Sequence, residues 1–192
     1  MQVSAELRWF WQDHCPDEVS SWFSGPDWMH APVREQRSDA YFPQPGNTEI
    51  GCKIRGGAQA DDRGSEIKAL ITRFERNHIE LWGKWNWLIP ADAQRIVVHK
   101  DRLVRHCSAF EPATGTASPA PATATENTCR IELTQVRVDG FESKWCTLGL
   151  EAWGDLASAP LTLARGLDIL NPPTGSARPC NYPQFLDRLL GK

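Results

Sequence analysis

Apolar and polar side chains alternate along most of this sequence, and this period of two residues constrains the fold more than any other feature. Successive side chains of a β-strand point to opposite faces, so the alternation predicts strands. The strand candidates span residues 3–11, 37–42, 49–57, 66–74, 79–89, 95–105, 129–138 and 145–154. Seven or eight strands with few helices predict a mainly antiparallel β protein of the α+β class, built as a barrel or a sandwich.

One of these segments also fits a helix. Residues 63–77, RGSEIKALITRFERN, offer apolar side chains at helical spacing, but as a strand they place Glu66 and Lys68 on the same face. The Gly-rich residues 58–65 indicate a hairpin connection, and a strand before such a connection predicts a strand after it. The β-branched residues of the segment agree. We therefore predict that residues 66–74 form a strand.

Three further segments carry helix signals. Residues 16–26 have a proline near their start, acidic residues in the first turn and Gly-Pro at their end. Residues 160–170 and 181–190 are predicted as helices of the C-terminal part, the latter with an asparagine cap. Residues 111–127 are rich in Pro, Ala and Thr, which predicts a surface loop. We expect one domain over residues 1–192.

Composition narrows the class of protein. A chain of 192 residues with 41% hydrophobic and 23% charged residues is long enough for one sizeable core. The net charge of −3 argues against broad nucleic-acid binding. No apolar run reaches the roughly 20 residues of a membrane span, and the first residues do not resemble a signal peptide. We expect a cytoplasmic protein whose six cysteines, none in a CxxC motif, are reduced.

The polar faces of the predicted strands are rich in charge. Their cations are Arg8, Lys53, Arg55, Lys68, Lys84, Lys100, Arg102 and Arg130, and their anions are Glu6, Glu66, Glu132 and Glu151. These faces lie in water if the sheet is open and half-buried. They line an interior if the sheet closes into a barrel, whose apolar outer wall must then be covered by helices or by another subunit.

A charged barrel interior suits a phosphate ligand. Arginine and lysine bind phosphate oxygens, and carboxylates bind hard cations such as Mg²⁺ or Mn²⁺. The chemistry of such a site would be metal-assisted attack of water on a phosphoryl group.

The order of the charged motifs resembles that of the CYTH superfamily, the triphosphate tunnel metalloenzymes. Those proteins carry an N-terminal ExExK strand, a K/RxR strand, an ExK strand, later basic strands and late acidic strands. The matching positions are residues 4–8 (SAELR), Lys53-Ile54-Arg55, Glu66-Ile67-Lys68, Lys100-Asp101-Arg102, Glu132 and Glu151. The resemblance covers roughly residues 3–154 as a barrel core and leaves residues 155–192 as a helical tail.

The resemblance implies a CYTH-like tunnel of eight antiparallel strands with a few flanking helices, which binds triphosphate or another organophosphate. Many members hydrolyse phosphoanhydrides with Mg²⁺ or Mn²⁺, and class IV adenylyl cyclases share the fold. By this resemblance Glu6, Glu132 and Glu151 would hold a metal. The implied phosphate-binding residues are Arg8, Lys53, Arg55, Lys68, Lys84, Lys100, Arg102 and Arg130.

The sequence departs from the family pattern at three positions. Ser4 stands where the first acid of ExExK is expected, Arg8 replaces its lysine, and Trp153 stands where a second late acid is expected. Because carboxylates are the oxygen donors of a hard-cation site, we expect a tunnel that binds a small phosphate-type polyanion, with or without Mg²⁺ or Mn²⁺, and whose catalytic site is degenerate. One alternative is an active metal-dependent phosphohydrolase. Another is an oligomerising β-sheet protein, for example a homodimer, whose tryptophan-rich strands form the subunit interface.

Overall fold

Eight antiparallel strands close into a barrel in the computed structural model. The structure describes residues 1–25, 28, 31–56, 65–87, 94–108 and 128–191. The elements in this part of the chain are β1 (Gln2–Gln12), α1 (Asp17–Ser24), β2 (Val33–Tyr41), β3 (Ile50–Arg55), β4 (Ser65–Arg73), β5 (Glu80–Trp87), β6 (Ile96–Ser108), β7 (Thr128–Val138), β8 (Lys144–Gly154), α2 (Ser158–Leu170) and α3 (Tyr182–Leu190). Around the barrel the strands follow the order β1-β5-β4-β3-β2-β6-β7-β8, and β8 pairs with β1.

Closure of the sheet decides where the charged faces lie. A closed barrel has no unpaired edge strand, and one face of each strand points to the interior. The charged residues of neighbouring strands stand opposite each other on that face, as in the register pairs Lys53–Glu66 on β3 and β4 and Arg130–Glu151 on β7 and β8. The barrel prediction is therefore confirmed, and the open-sheet alternative is wrong.

Two helices cover part of the apolar outer wall. Val19 and Phe23 of α1 and Leu163 of α2 form one buried cluster with outward side chains of β1 and β7, among them Leu7 and Ile131. Each such fully buried side chain contributes about 1.5–3 kcal/mol relative to leaving it exposed. This packing holds the walls of β1, β7 and β8 in place.

The third helix packs across one end of the barrel. Its start is fixed by a capping box, in which the Asn181 side chain accepts a hydrogen bond from the Gln184 backbone N–H and the Gln184 side chain accepts one from Asn181. Phe185 of α3 stacks on Phe10 at a ring distance of 4.3 Å, and Tyr182 stacks on Tyr41 at 5.3 Å. Phe10 and Tyr41 lie on the same strand faces as the interior charges of β1 and β2, close to one end of the barrel. Helix α3 therefore closes that end.

Most predicted elements are confirmed. Residues 66–74, which fitted two periods, lie mainly in strand β4, and the predicted helices correspond to α1, α2 and α3. Strand β2 is longer than the predicted 37–42, because it begins at Val33 and pairs with β6 over its whole length. Residue 35 thereby joins the barrel wall.

Several predictions fall outside the described residues. These are the loop at 111–127, nearly all of the hairpin connection at 58–65 and the end of the strand predicted at 79–89. In the part of the chain that the structure describes, no helix combines the length and the apolar character needed to cross a membrane.

A disulfide joins Cys15 to Cys146, which corrects the expectation of six reduced thiols. The two residues are 131 positions apart in the sequence, but pairing of β1 with β8 brings Cys146 opposite Trp11, close to the point where the chain leaves β1. Their Cα atoms are 5.2 Å apart, a normal disulfide spacing. The sequence spacing gave no indication of this contact, because it depends on the barrel closing.

Loss of this bond should destabilise the barrel. We expect reduction of the wild-type protein to lower its free energy of unfolding by about 2–4 kcal/mol, since the bond restricts a long loop of the unfolded chain. Urea unfolding with and without reductant measures the change. The Cys15→Ala variant is the control, and its midpoint should not respond to reductant. A wild-type midpoint that is equally insensitive would contradict the assigned bond.

Candidate functional site

The barrel interior concentrates positive charge. All eight cations singled out in the sequence belong to the inward faces of the strands, and Arg37 of β2 joins them. Their side chains are at most 24% exposed, except that of Arg55 at 44%. Buried charges of this kind need partners, because removing an ion from water is costly. The interior acids supply those partners in four groups.

The first group surrounds Glu6 of β1. Lys68 donates a hydrogen bond to one carboxylate oxygen at 2.8 Å, and Lys84 contacts the other at 2.9 Å. Ser4 also donates its hydroxyl to that second oxygen, at 3.0 Å. The Lys84 ammonium in addition contacts Glu151, which faces Glu6 across the β1–β8 pair. One ammonium therefore joins two carboxylates.

The second group surrounds Glu132 of β7. One of its oxygens accepts from Arg102 at 2.5 Å and lies 3.0 Å from Arg130, and the other accepts from Arg8 at 3.0 Å. Arg8 also donates to the Thr147 hydroxyl at 2.9 Å. Three guanidinium groups from three strands thus converge on one carboxylate.

The third group joins β3 and β4. Glu66 lies 3.2 Å from the Lys53 ammonium and accepts a hydrogen bond from Arg55 at 2.7 Å. The lysine and the acid are direct register partners, so the pairing follows from the alignment of the two strands.

The fourth group encloses Lys100 of β6. Its ammonium donates to Asp39 at 2.8 Å and to the Tyr41 hydroxyl at 2.7 Å, and it lies 4.1 Å from the ring centre of Tyr182 on α3. Arg37 lies 3.3 Å from the same aspartate. Lys100 is nearly inaccessible to solvent, and both a carboxylate and aromatic faces stabilise its charge.

Sequence analysis missed four of the residues in this fourth group. Arg37, Asp39 and Tyr41 alternate inside a segment that was correctly predicted as a strand, so their shared face was visible in the sequence. Tyr182 carried no such signal, since its contact with Lys100 depends on where α3 packs.

The surrounding cations keep the interior acids ionised. Burial alone would raise the pKa of Glu132, but the charges of Arg8 and Arg130 outweigh it and hold that pKa at about 2. The same balance holds the pKa of Asp39 and of Glu66 at about 2. The pKa of Lys100 is instead well below its usual value, because burial outweighs the attraction of Asp39.

Positive charge remains in excess after this pairing. Among the described residues, the inward faces carry ten cations, which are the nine above and Arg73, against seven carboxylates: those of Glu6, Glu35, Asp39, Glu66, Glu80, Glu132 and Glu151. The exposed fraction rises along β2 away from α3, from a buried Asp39 to 24% for the Arg37 side chain and 44% for Glu35. The charged interior therefore meets solvent at the end opposite α3.

Some buried donors on one wall have no hydrogen-bond partner among the described residues. They include the Nε and Nη1 atoms of Arg102, the Nε atom of Arg37 and the hydroxyl of Thr134. Arg102 and Thr134 face each other across the β6–β7 pair, and Arg37 belongs to neighbouring β2. A buried polar group without a partner costs about 1–3 kcal/mol. These donors, and the Asp39 Oδ1 acceptor on the same wall, are therefore unsatisfied in the described structure.

The three predicted metal ligands lie in two separate groups. Glu6 and Glu151 share the Lys84 ammonium, whereas Glu132 contacts only guanidinium groups in the ion pairs described above. No cluster of three or more His, Cys, Asp or Glu side chains suited to a metal occurs within the described ranges. Ser4, at a position where the family pattern has an acid, donates a hydrogen bond to Glu6, and Trp153 is its register partner on β8.

Comparison with known proteins gives structural neighbours alone. No family model matches the chain, and no curated protein matches it. A conserved hypothetical protein from Pyrococcus furiosus is similar in structure, with a TM-score of 0.45 and 13% identity, over 93% of this chain and 97% of that one. A protein from Pyrococcus horikoshii OT3 is similar with a TM-score of 0.46 and 12% identity, over 93% of this chain and 94% of that one.

The ion pairs should make stability depend on acid pH. The pKa of Glu66 is about 2 in the folded state against 4.5 as its ordinary value. Its stabilising contribution is therefore present above pH 4.5 and is lost as pH falls through about 2. In Glu66→Gln, the slope of unfolding free energy against pH in this window should decrease by up to about 1.4 kcal/mol per pH unit. Urea unfolding between these pH values measures it, and equal slopes in the two proteins would contradict the pairing.

Proposed function

We propose that the barrel binds a small phosphate-type polyanion in its interior and that its catalytic site is degenerate. The observation that carries the proposal is the wall of buried donors without hydrogen-bond partners, formed by Arg102, Arg37 and Thr134, within an interior that has more cations than carboxylates. A guanidinium group presents its N–H donors in a planar fork that matches phosphate oxygens.

The distribution of the cations favours a ligand with several anionic groups. Lys53 and Arg55 project from β3, Lys68 from β4, and Arg102 and Arg130 from β6 and β7. A single phosphate would meet one wall, whereas a linear polyphosphate can contact donors on several strands. The resemblance of the charged motifs to the CYTH superfamily supports the same class of ligand. The ligand would enter at the end opposite α3, where the charged side chains meet solvent.

Binding of tripolyphosphate tests this function. We expect the ligand to stabilise the wild-type protein by about 2.7 kcal/mol at roughly 100 times its Kd. In Arg102→Gln the Kd should rise about tenfold or more, because charge-assisted hydrogen bonds contribute about 1.5–3 kcal/mol. Isothermal titration calorimetry measures both proteins at physiological ionic strength, after circular dichroism has established that the variant is folded.

The matched control is Arg34→Gln, which makes the same substitution on the same barrel. Arg34 is 65% exposed and pairs with Asp101 on the outer face. Its loss should leave the Kd unchanged, whereas an equal effect of both variants would indicate a general response to net charge. The double variant Lys53→Ala, Lys68→Ala should also lose binding, because it removes donors from the opposite wall. Unchanged binding in Arg102→Gln would contradict the proposal.

The proposal also includes weak or absent triphosphatase activity. The acids at Glu6, Glu132 and Glu151 are engaged by lysine and arginine, and Ser4 and Trp153 stand where the family pattern has carboxylates. Two-metal phosphoryl chemistry needs bridging oxygens between ions about 3.5–4 Å apart. Phosphate release from tripolyphosphate and nucleoside triphosphates should therefore stay near background with Mg²⁺ or Mn²⁺. Robust turnover that is lost in Glu132→Gln would establish the alternative of an active phosphohydrolase.

A cytoplasmic location fits a phosphate ligand, whereas the Cys15–Cys146 disulfide is typical of an oxidising compartment. Rapid alkylation of cell extracts, followed by mass spectrometry, shows whether the cysteine pair is oxidised or reduced in the cell.

If no phosphate ligand binds, the remaining alternative is an oligomer that uses exposed apolar residues such as Trp85, and light scattering measures its size.

A further inference from the structure

We propose that the Lys84 ammonium occupies the cation position between Glu6 and Glu151, so that the barrel binds its polyanion without a divalent metal. The second half of this inference, that the polyanion binds without a divalent metal, rests on the proposed function. The first half, that Lys84 occupies the cation position, concerns the free protein and can be tested without any phosphate ligand.

The geometry places Lys84 between the two acids. Glu6 and Glu151 are direct register partners on β1 and β8, and Lys84 reaches them from β5, which pairs with the other side of β1. Its ammonium lies 2.9 Å from one oxygen of Glu6 and contacts an oxygen of Glu151. The lysine side chain is 11% exposed. The positively charged end of a lysine side chain therefore lies between the two carboxylates.

The other groups around Glu6 also leave no place for a metal ion. The Glu6 oxygen that does not contact Lys84 accepts a hydrogen bond from Lys68 at 2.8 Å, and the Lys68 ammonium lies 4.2 Å from the ring centre of Trp82. Ser4 adds a third donor to the same carboxylate. A divalent ion that bound here would have to displace these donors, and it would lie beside two ammonium charges that repel it.

The third predicted metal ligand does not complete such a site. Glu132 is held by Arg8, Arg102 and Arg130, so its oxygens already carry three cationic partners. Of the carboxylates that would bind a metal in the family pattern, Glu6 and Glu151 are thus paired with lysine, and Glu132 is paired with arginine. We infer that these side chains neutralise the interior acids and leave the remaining cations for the ligand.

The first experiment titrates Mn²⁺ into chelator-treated protein in the absence of phosphate, with electron paramagnetic resonance to separate free from bound Mn²⁺. The wild-type protein should bind no Mn²⁺ at micromolar concentrations. Lys84→Met should gain a site, with a Kd at least tenfold lower than that of the wild type, because Glu6 and Glu151 lose their shared cation. Lys84→Arg is the matched control, and it should resemble the wild type because it keeps the positive charge.

Two outcomes would overturn the assignment of Lys84 to the cation position. Micromolar Mn²⁺ binding by the wild type, lost in Glu6→Gln, would show that a metal and not Lys84 holds the acids together. Absence of any gain in a folded Lys84→Met variant would show that the position is not a latent cation site. The wild-type measurement decides the matter even if the variant does not fold.

The second experiment measures the Kd for tripolyphosphate in chelator and in Mg²⁺, compared at equal concentrations of the free ligand. The two values should agree within about threefold. Binding that requires Mg²⁺ would overturn the inference and leave the proposed function intact. Absence of tripolyphosphate binding under both conditions would instead overturn the proposed function and, with it, the second half of the inference.

Discussion

Mutual neutralisation of buried charges inside a closed sheet is the constraint on which this structure depends. Removing one charged side chain from water is costly, and an isolated ion in the barrel interior would destabilise the fold. The carboxylate of Glu132 is accommodated because three guanidinium groups reach it, and Glu6 because two ammonium groups do. The register of neighbouring strands brings these side chains together, and the helices that pack on the outer wall stabilise that register.

Neutralisation of the interior charges is incomplete, and the charge in excess is positive. Cations outnumber carboxylates in the described interior, and the donors without hydrogen-bond partners concentrate on the wall of β2, β6 and β7. A protein that needed only stability would gain from apolar residues at these positions, since buried ion pairs are often replaced by hydrophobic residues without loss. The presence of so many buried arginines and lysines is the reason for proposing a ligand with negative charge. Chemistry on that ligand would require carboxylates that are free of lysine and arginine, and the interior acids of this barrel are engaged by them.

The sequence predicted the fold and the inward cations because both follow from one local pattern. Alternation identified the strands, including the ambiguous residues 66–74, and the parity of Lys53, Lys68 and Lys100 put them on one face. Closure of the sheet then turned that face inward. The strands and their shared faces needed only the period of the side chains, whereas closure of the sheet was left open by that period and was implied by the resemblance to the CYTH superfamily.

The details that decide function were beyond that pattern. Nothing in the sequence shows that Lys84 reaches Glu6 and Glu151, because the contact depends on β5 and β8 lying on opposite sides of β1. The position of Tyr182 beside Lys100 depends likewise on where a short helix packs. Tertiary distances of this kind separate a carboxylate that is free for a metal from one that is already paired.

The most direct measurement of the central claim is a crystal structure of the protein grown with tripolyphosphate in metal-free buffer. The account predicts electron density for the ligand inside the barrel, within hydrogen-bond distance of Arg102 and of the cations on the facing wall. The Lys84 ammonium should remain between Glu6 and Glu151. A ligand bound only on the outer surface, with the interior ion pairs unchanged, would contradict the account.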